Sequence, residues 1–233
     1  MQDIASFVLS APGRSEVTSR CLASLADSDL GPVTVCTNPP GMPPLDHWNQ
    51  TFDAMKRAAA PMVILFEDDC LVNPHILANL RTWPWMHEPE FGAGWLYNPG
   101  GYKGGHDVWY DGTPPDWYGT VAVLYWREDL EIIQTVANRW MATMGNIAWD
   151  CAVAWAIHAL GMQIRVHGPP LVEHMHEAPS LLGHTHSESF SSTRGSFVAD
   201  WQRDPLAPGP VKPIVRRAPR PHWVQQRMAQ MGV

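Results

Sequence analysis

The sequence has little cysteine, no long apolar run and few charges for its length. Cys21, Cys36, Cys70 and Cys151 are the only cysteines in 233 residues and make no CxxC pair. That spacing excludes a dense disulfide framework and a cysteine-knuckle metal site, and predicts thiols that stay reduced and mostly buried. No apolar stretch approaches the ~20 residues that span a bilayer, and Met1-Gln2-Asp3-Ile4 carries no basic segment ahead of an apolar core. The expectation is a soluble, cytoplasmic chain without a membrane span; its oligomeric state is not legible. No HExxH is present, and charged residues make up only 17%.

Acid is also missing from one end. Every Asp and Glu lies at or before Asp204, whereas Lys212, Arg216, Arg217, Arg220 and Arg227 follow it, so the formal charge of −7 divides into an acidic body and a basic end. Pro205, Pro208, Pro210, Pro213, Pro219 and Pro221 exclude regular helix there and predict an extended strap. The division expected is one domain over 1–204 and a basic Pro-rich extension over 205–233. A basic extension can steer an anionic partner or simply be solvated.

What the chain does have is a pattern of short apolar segments alternating with helical periodicity. Hydrophobic residues are 45% of a length suited to a single α/β core. Residues 4–9 read as a strand ended by Ala11-Pro12-Gly13, and Ser15 is placed to cap a helix carrying Val17, Cys21, Leu22 and Leu25 on one face. Val33-Thr34-Val35-Cys36 follows as a parallel strand, then a helix from about Asp46 with Trp48, Phe52 and Met55 on one side. Met62-Val63-Ile64-Leu65-Phe66 has no polar alternation, as expected of a strand covered on both faces in the middle of a parallel sheet. Later segments predict a helix from Asn73-Pro74 to about Trp83, strands over 93–97 and 120–126, helices over 128–140 and 149–160, and strands over 163–166 and 171–173. The Gly-, Pro- and aromatic-rich stretch 98–118 reads as a long loop or distorted hairpin. The fold class is α/β, a mixed, mostly parallel sheet flanked by helices.

The chemistry gathers at the carboxyl end of the 62–66 strand, where ligands bind in open α/β sheets. Glu67-Asp68-Asp69 places three carboxylates together. Such a triplet is an acidic surface turn or a binding site for a hard divalent cation such as Mg²⁺ or Mn²⁺. Ser10, Ala11, Pro12 and Arg14 follow the first strand, and Thr37 and Asn38 the second, which is where a nucleotide base and ribose would lie; Arg14 could equally pair with a surface acid.

The run from His47 and Asn49 through Ala60 to Ile64-Leu65-Phe66-Glu67-Asp68-Asp69-Cys70-Leu71-Val72 resembles the segment carrying the DxD-type motif of GT-A glycosyltransferases. The likeness continues through Tyr118-Gly119-Thr120-Val121-Ala122, Arg127, Trp149-Asp150 and Pro170-Leu171-Val172-Glu173-His174. It implies a GT-A-like fold, a Mn²⁺ or Mg²⁺ cofactor and a nucleotide diphosphate sugar as donor, with a UDP-sugar favoured. By this resemblance Asp69 and His174 ligate the metal, Glu67 faces the nucleotide ribose or the metal shell, and Asp150 is the catalytic base; Asp68, between the two acids, is a further donor-binding candidate. A Glu in the first position departs from a literal DxD. Asp150 also suits a plain helix N-cap, and His174 a polar strand end. Ser192 and Arg194, in a Ser/Thr-rich segment, are candidates to contact donor phosphate.

Trp109, Tyr110, Trp117 and Tyr118, set among aspartates, are candidates for stacking on the acceptor, a glycan hydroxyl or a hydroxymethylated pyrimidine in DNA, as in phage-type DNA-modifying glycosyltransferases. Two other classes stay open. One is an inert nucleotide-sugar or glycan-binding module; the other is a zinc hydrolase using the histidine-rich segment with His176, His184 and His186.

Overall fold

The computed structural model describes residues 3–97, 108–110, 120–145, 148–167, 170–175 and Ala229. The calls at Trp117, Tyr118, Ser192 and Arg194, the histidines from His176 onward and the strap expected over 205–233 (apart from Ala229) lie outside the described residues.

The first unit is parallel, as its sequence pattern predicts. β1 (Ile4–Ser10) leads through a turn with Gly13 at φ 77 into α1 (Ser15–Ala26), and β2 (Val33–Thr37) returns beside β1, pairing Ser6 with Val33 and Ser10 with Thr37. Cys21 and Leu25 face the core from α1. Ser15 is not the cap expected. It is the first helical residue; Arg14 stands at the N-cap, where its donor-only guanidinium cannot accept from the helix N–H groups and instead reaches Asp68 and Asp69. α2 (Pro44–Lys56) opens on proline, whose missing N–H costs nothing in a first turn, and buries Phe52 and Met55.

β3 (Met62–Glu67) is central and its five apolar residues are wholly buried. One neighbour is β1, parallel; the other is β7 (Ala122–Trp126), antiparallel. The strand is therefore covered on both faces, as its apolarity requires, but lies in a mixed rather than a purely parallel setting. β4 (Cys70–Val72), α3 (Ile76–Thr82) and a 3-10 turn over Pro84–His87 precede β5 (Phe91–Trp95). β6 (Val108–Tyr110) lies in the stretch expected to be loop or hairpin, and carries Trp109 and Tyr110 on a strand. After β7 come a short 3-10 turn, α4 (Leu130–Met144), α5 (Trp149–Ala159), β8 (Gln163–Val166) and β9 (Val172–His174).

The seven-stranded sheet has the order β2-β1-β3-β7-β5-β8-β6. β1, β2, β3, β5 and β8 run one way, and β6 and β7 the other, which makes the sheet mixed and mostly parallel. One face packs on α1 and α3 through Ile64, Phe66, Cys21, Leu25, Leu80 and Trp83; the other packs on α2, α4 and α5 through Leu65, Phe52, Ile133, Val153 and Ile157. Of the cysteines, all free, Cys21 and Cys70 are buried while Cys36 and Cys151 are partly exposed, so burial is less general than expected. No helix among the described residues is long and apolar enough to cross a membrane.

Two glycines in β5 exist for space rather than for turning. A Cβ on Gly94 would stand 2.7 and 2.9 Å from the Trp83 indole and 3.1 Å from Phe91. Trp83 is itself fully buried edge-on to Phe91, so it cannot yield freely. Gly94→Ala should therefore destabilise the protein by about 1–3 kcal/mol through overpacking. A denaturant midpoint equal to wild type would show that the indole moves aside at no cost.

Candidate functional site

The site forms where β3 runs out. Glu67 is the last residue of β3, Asp68 and Asp69 make a two-residue turn, and β4 starts at Cys70. β4 then leaves the main sheet and pairs antiparallel with β9, setting Cys70 opposite His174 and Val72 opposite Val172. This small ladder brings the end of β9 against the acids. The backbone N–H of Met175 donates to the Asp69 carbonyl at 2.7 Å, and His174 Nε2 lies 3.2 Å from Asp69 Oδ2.

From the opposite side, the turn after β1 closes on the same acids. Arg14 places one guanidinium nitrogen 3.0 Å from Asp68 Oδ1 and the other 2.7 Å from Asp69 Oδ2. Asp68 Oδ2 accepts from the Ala11 backbone N–H at 2.9 Å and from Thr18 Oγ at 3.2 Å, and Thr18 in turn contacts Ser10 Oγ. Arg14 thus pairs with acid, one of its two expected roles, but the acids are the 2% and 4% exposed carboxylates of the site itself rather than surface groups. Pro12 is exposed on the same turn.

Each carboxylate has a different electrostatic setting. Burial raises Glu67, the neighbouring charge of Asp69 adds to it, and the result stands at about 7 even though Thr120 Oγ donates to Glu67 Oε1 at 2.8 Å. Asp150 pushes Glu67 the same way, so its charge is felt at the triplet. Asp68 is raised by burial, against the pull of the Ala11 N–H and Arg14. Burial would raise Asp69 too, but the hydrogen bond and charge of His174, followed by those of Arg14, outweigh it and hold the carboxyl at about 2.

Asp69 is therefore ionised, and half of it is unanswered: Oδ1 is buried without a hydrogen-bond partner among the described residues. An ionised, buried, unpaired oxygen is costly unless a cation or donor meets it. Together with an imidazole nitrogen beside Oδ2, it offers an oxygen-and-nitrogen donor set that fits Mn²⁺ and, through oxygen, Mg²⁺. Among the described residues no group of three His, Cys, Asp or Glu is gathered around one point. A metal here would take its other ligands from water and phosphate, as hard divalent ions commonly do.

The rest of the called residues divide by place. Thr37 pairs with Ser10 at the ends of β2 and β1, and the Asn38 backbone N–H donates to the Ser10 carbonyl at 3.0 Å. Asn38 is 9% exposed and its Oδ1 has no partner among the described residues. Beside it His47, from α2, contacts the Cys36 carbonyl at 2.9 Å; burial holds this imidazole below its usual pKa and so neutral.

Asp150 is the second residue of α5, two positions after the N-cap Ala148, and its carboxylate accepts from the Cys151 N–H at 2.8 Å. The start of α5 is seated by aromatics: Trp149 stacks on Trp48 at 5.4 Å and meets Phe52 edge-on at 5.3 Å. Reasoning from sequence did not single out Thr18, one helical turn beyond Arg14, or Thr120 as groups that hold the carboxylates. The signal for Thr18 was its i+4 spacing from Arg14 on the end of α1 nearest the strand ends.

No protein-family model matches the chain, and no curated protein matches it by sequence. Its architecture does match solved structures. The apo-form glycosyltransferase GlyE of Streptococcus pneumoniae superposes with a TM-score of 0.50 at 8% identity, over 80% of this chain and 57% of GlyE. A Drosophila beta-1,4-galactosyltransferase 7 in complex with manganese, UDP-Gal and xylobiose gives 0.48 at 14%, over 83% and 81%. A glycosyltransferase involved in glycosylating the major capsid of PBCV-1 gives 0.47 at 12%, over 75% and 94%. At such low identity the likeness concerns architecture: the fold of this chain is GT-A-like, and its structural neighbours are glycosyltransferases.

Proposed function

We propose that this protein is a metal-dependent glycosyltransferase that moves a sugar from a nucleotide diphosphate sugar to a hydroxyl acceptor. The observation that carries the reading is the ionised, half-unpaired Asp69 beside His174 at the carboxyl end of the central strand of a GT-A-like sheet. Asp69 and His174 would hold the metal. When bound, the ion would neutralise charge on the departing diphosphate. Arg14, Asn38, Thr37 and the backbone from Ser10 to Pro12 border the space beyond β1 and β2 and would receive the nucleotide, for which a UDP-sugar is the first candidate. Glu67 and Asp68 would line its inner edge, and Ser192 and Arg194 would meet the phosphates from the later segment.

Asp150 would take the proton of the attacking hydroxyl, giving a product of inverted anomeric configuration. Trp109, Tyr110, Trp117 and Tyr118 are the proposed acceptor contacts. The acceptor is a glycan in the favoured reading; hydroxymethylated DNA is the alternative suggested by the basic end of the sequence.

The test is release of nucleoside diphosphate from UDP- and GDP-sugars with Mn²⁺ or with EDTA, each with glycan and with hydroxymethylated DNA. Release should require Mn²⁺, name the donor and rise with one acceptor. Donor binding without turnover under every condition would identify an inert binding module, and tightly retained zinc with hydrolysis would identify the hydrolase instead.

A further inference from the structure

Arg14 stands where a cation is needed. Two adjacent buried carboxylates cannot both stay ionised without a counter-charge, and the guanidinium provides it by bridging them, 3.0 Å from Asp68 Oδ1 and 2.7 Å from Asp69 Oδ2. The Arg14 side chain is only 10% exposed, as deep as a structural ion pair. Its two limbs are not equivalent. Asp68 is also held by the Ala11 N–H and Thr18 Oγ, so that carboxylate is fixed in the β1–α1 turn whatever happens at Asp69. At Asp69 the guanidinium shares a single oxygen, Oδ2, with His174 Nε2, while Oδ1 has no partner among the described residues. The Arg14 Nε is likewise buried without an acceptor among them.

We infer that Arg14 is a resident counter-cation that a divalent metal displaces from Asp69. The inference rests on the metal reading above. Without metal, the Asp69 limb of the guanidinium keeps the acidic turn closed. A divalent ion held by Asp69 would take over the counter-charge that Arg14 now supplies there, and Arg14 would stay anchored on Asp68 with a limb freed. A guanidinium limb released into a buried site calls for an anion, and the diphosphate of a nucleotide would supply one, with oxygens that the planar guanidinium fork can meet. Metal alone must break the ion pair at a cost, whereas metal with nucleotide recovers that cost. The protein should accordingly bind metal weakly by itself and more tightly together with a nucleoside diphosphate.

The experiment is titration with Mn²⁺, read by electron paramagnetic resonance, of wild type, Arg14→Gln and Arg14→Lys, with and without UDP or GDP. Arg14→Gln should bind Mn²⁺ alone about tenfold more tightly than wild type, and the tightening by nucleotide should shrink. Its metal-free melting temperature should fall, because Asp68 and Asp69 lose their counter-charge. Arg14→Lys, a point charge that cannot span both carboxylates, should fall between the two; it also serves if the Gln variant does not fold. Equal or weaker Mn²⁺ affinity in the variants, with wild type binding metal, would overturn the competition while leaving the metal reading intact. Absence of Mn²⁺ binding in wild type, even with nucleotide, would overturn both.

Discussion

Asp69→Asn should reduce metal-dependent release of nucleoside diphosphate by about 10³-fold or more. The charge stabilisation a bound metal gives a leaving diphosphate is worth several kcal/mol, and each 1.4 kcal/mol is about tenfold in rate. The substitution keeps the size of the side chain and removes its charge from the one carboxylate held at about 2. The fold should survive, because the contact that secures the acidic turn to the β9 end is made by the Asp69 backbone carbonyl to Met175 N, not by the side chain. The β4–β9 ladder is likewise made by the backbone. Steady-state release assays, with circular dichroism to confirm folding, check the prediction. A folded variant that retained full Mn²⁺-dependent turnover would remove Asp69 from the metal site.

Asp150→Asn should leave donor and metal binding near wild type and slow transfer to the acceptor by about 10²–10⁴-fold, the usual contribution of a positioned general base. The amide preserves an oxygen able to accept from the Cys151 N–H, so the first turn of α5 keeps its local bond. The aromatic seat formed by Trp48, Phe52 and Trp149 is untouched. Single-turnover transfer alongside nucleotide titration separates the two effects, and the anomeric signal of the product by NMR reports its configuration. Unimpaired transfer would return Asp150 to the role of a helix-start residue satisfying backbone N–H groups.

Much of the scaffold was readable along the chain. The uninterrupted apolar run of β3 demanded cover on both faces, and periodicity placed the α1, α2, α4 and α5 helices within a few residues of their observed bounds. The less legible parts depended on partners distant in sequence. β7 enters antiparallel between β3 and β5, and no property of Ala122–Trp126 as an isolated apolar segment distinguishes that orientation from a parallel one. Ser15 had the chemistry of a cap, yet the helix begins at Ser15 itself with Arg14 at the N-cap, whose side chain pairs with two carboxylates more than 50 positions away, a contact that local sequence does not reveal.

By itself the sequence determined an α/β chain with a buried strand ending in Glu67-Asp68-Asp69, and so determined that three carboxylates must gather at one edge and find counter-charge. Hydrophobic periodicity is a local property, and it suffices for that. Tertiary structure decided how the three differ. β4 turns away to pair with β9, which carries His174 to Asp69; the β1–α1 turn carries Arg14 to Asp68 and Asp69; and Glu67 is left to Thr120 and to burial. Three neighbouring acids therefore stand at about 7, raised, and about 2. Their proton affinities are set by desolvation and by groups 50 to more than 100 positions away in the chain, which only the folded arrangement brings within hydrogen-bonding distance.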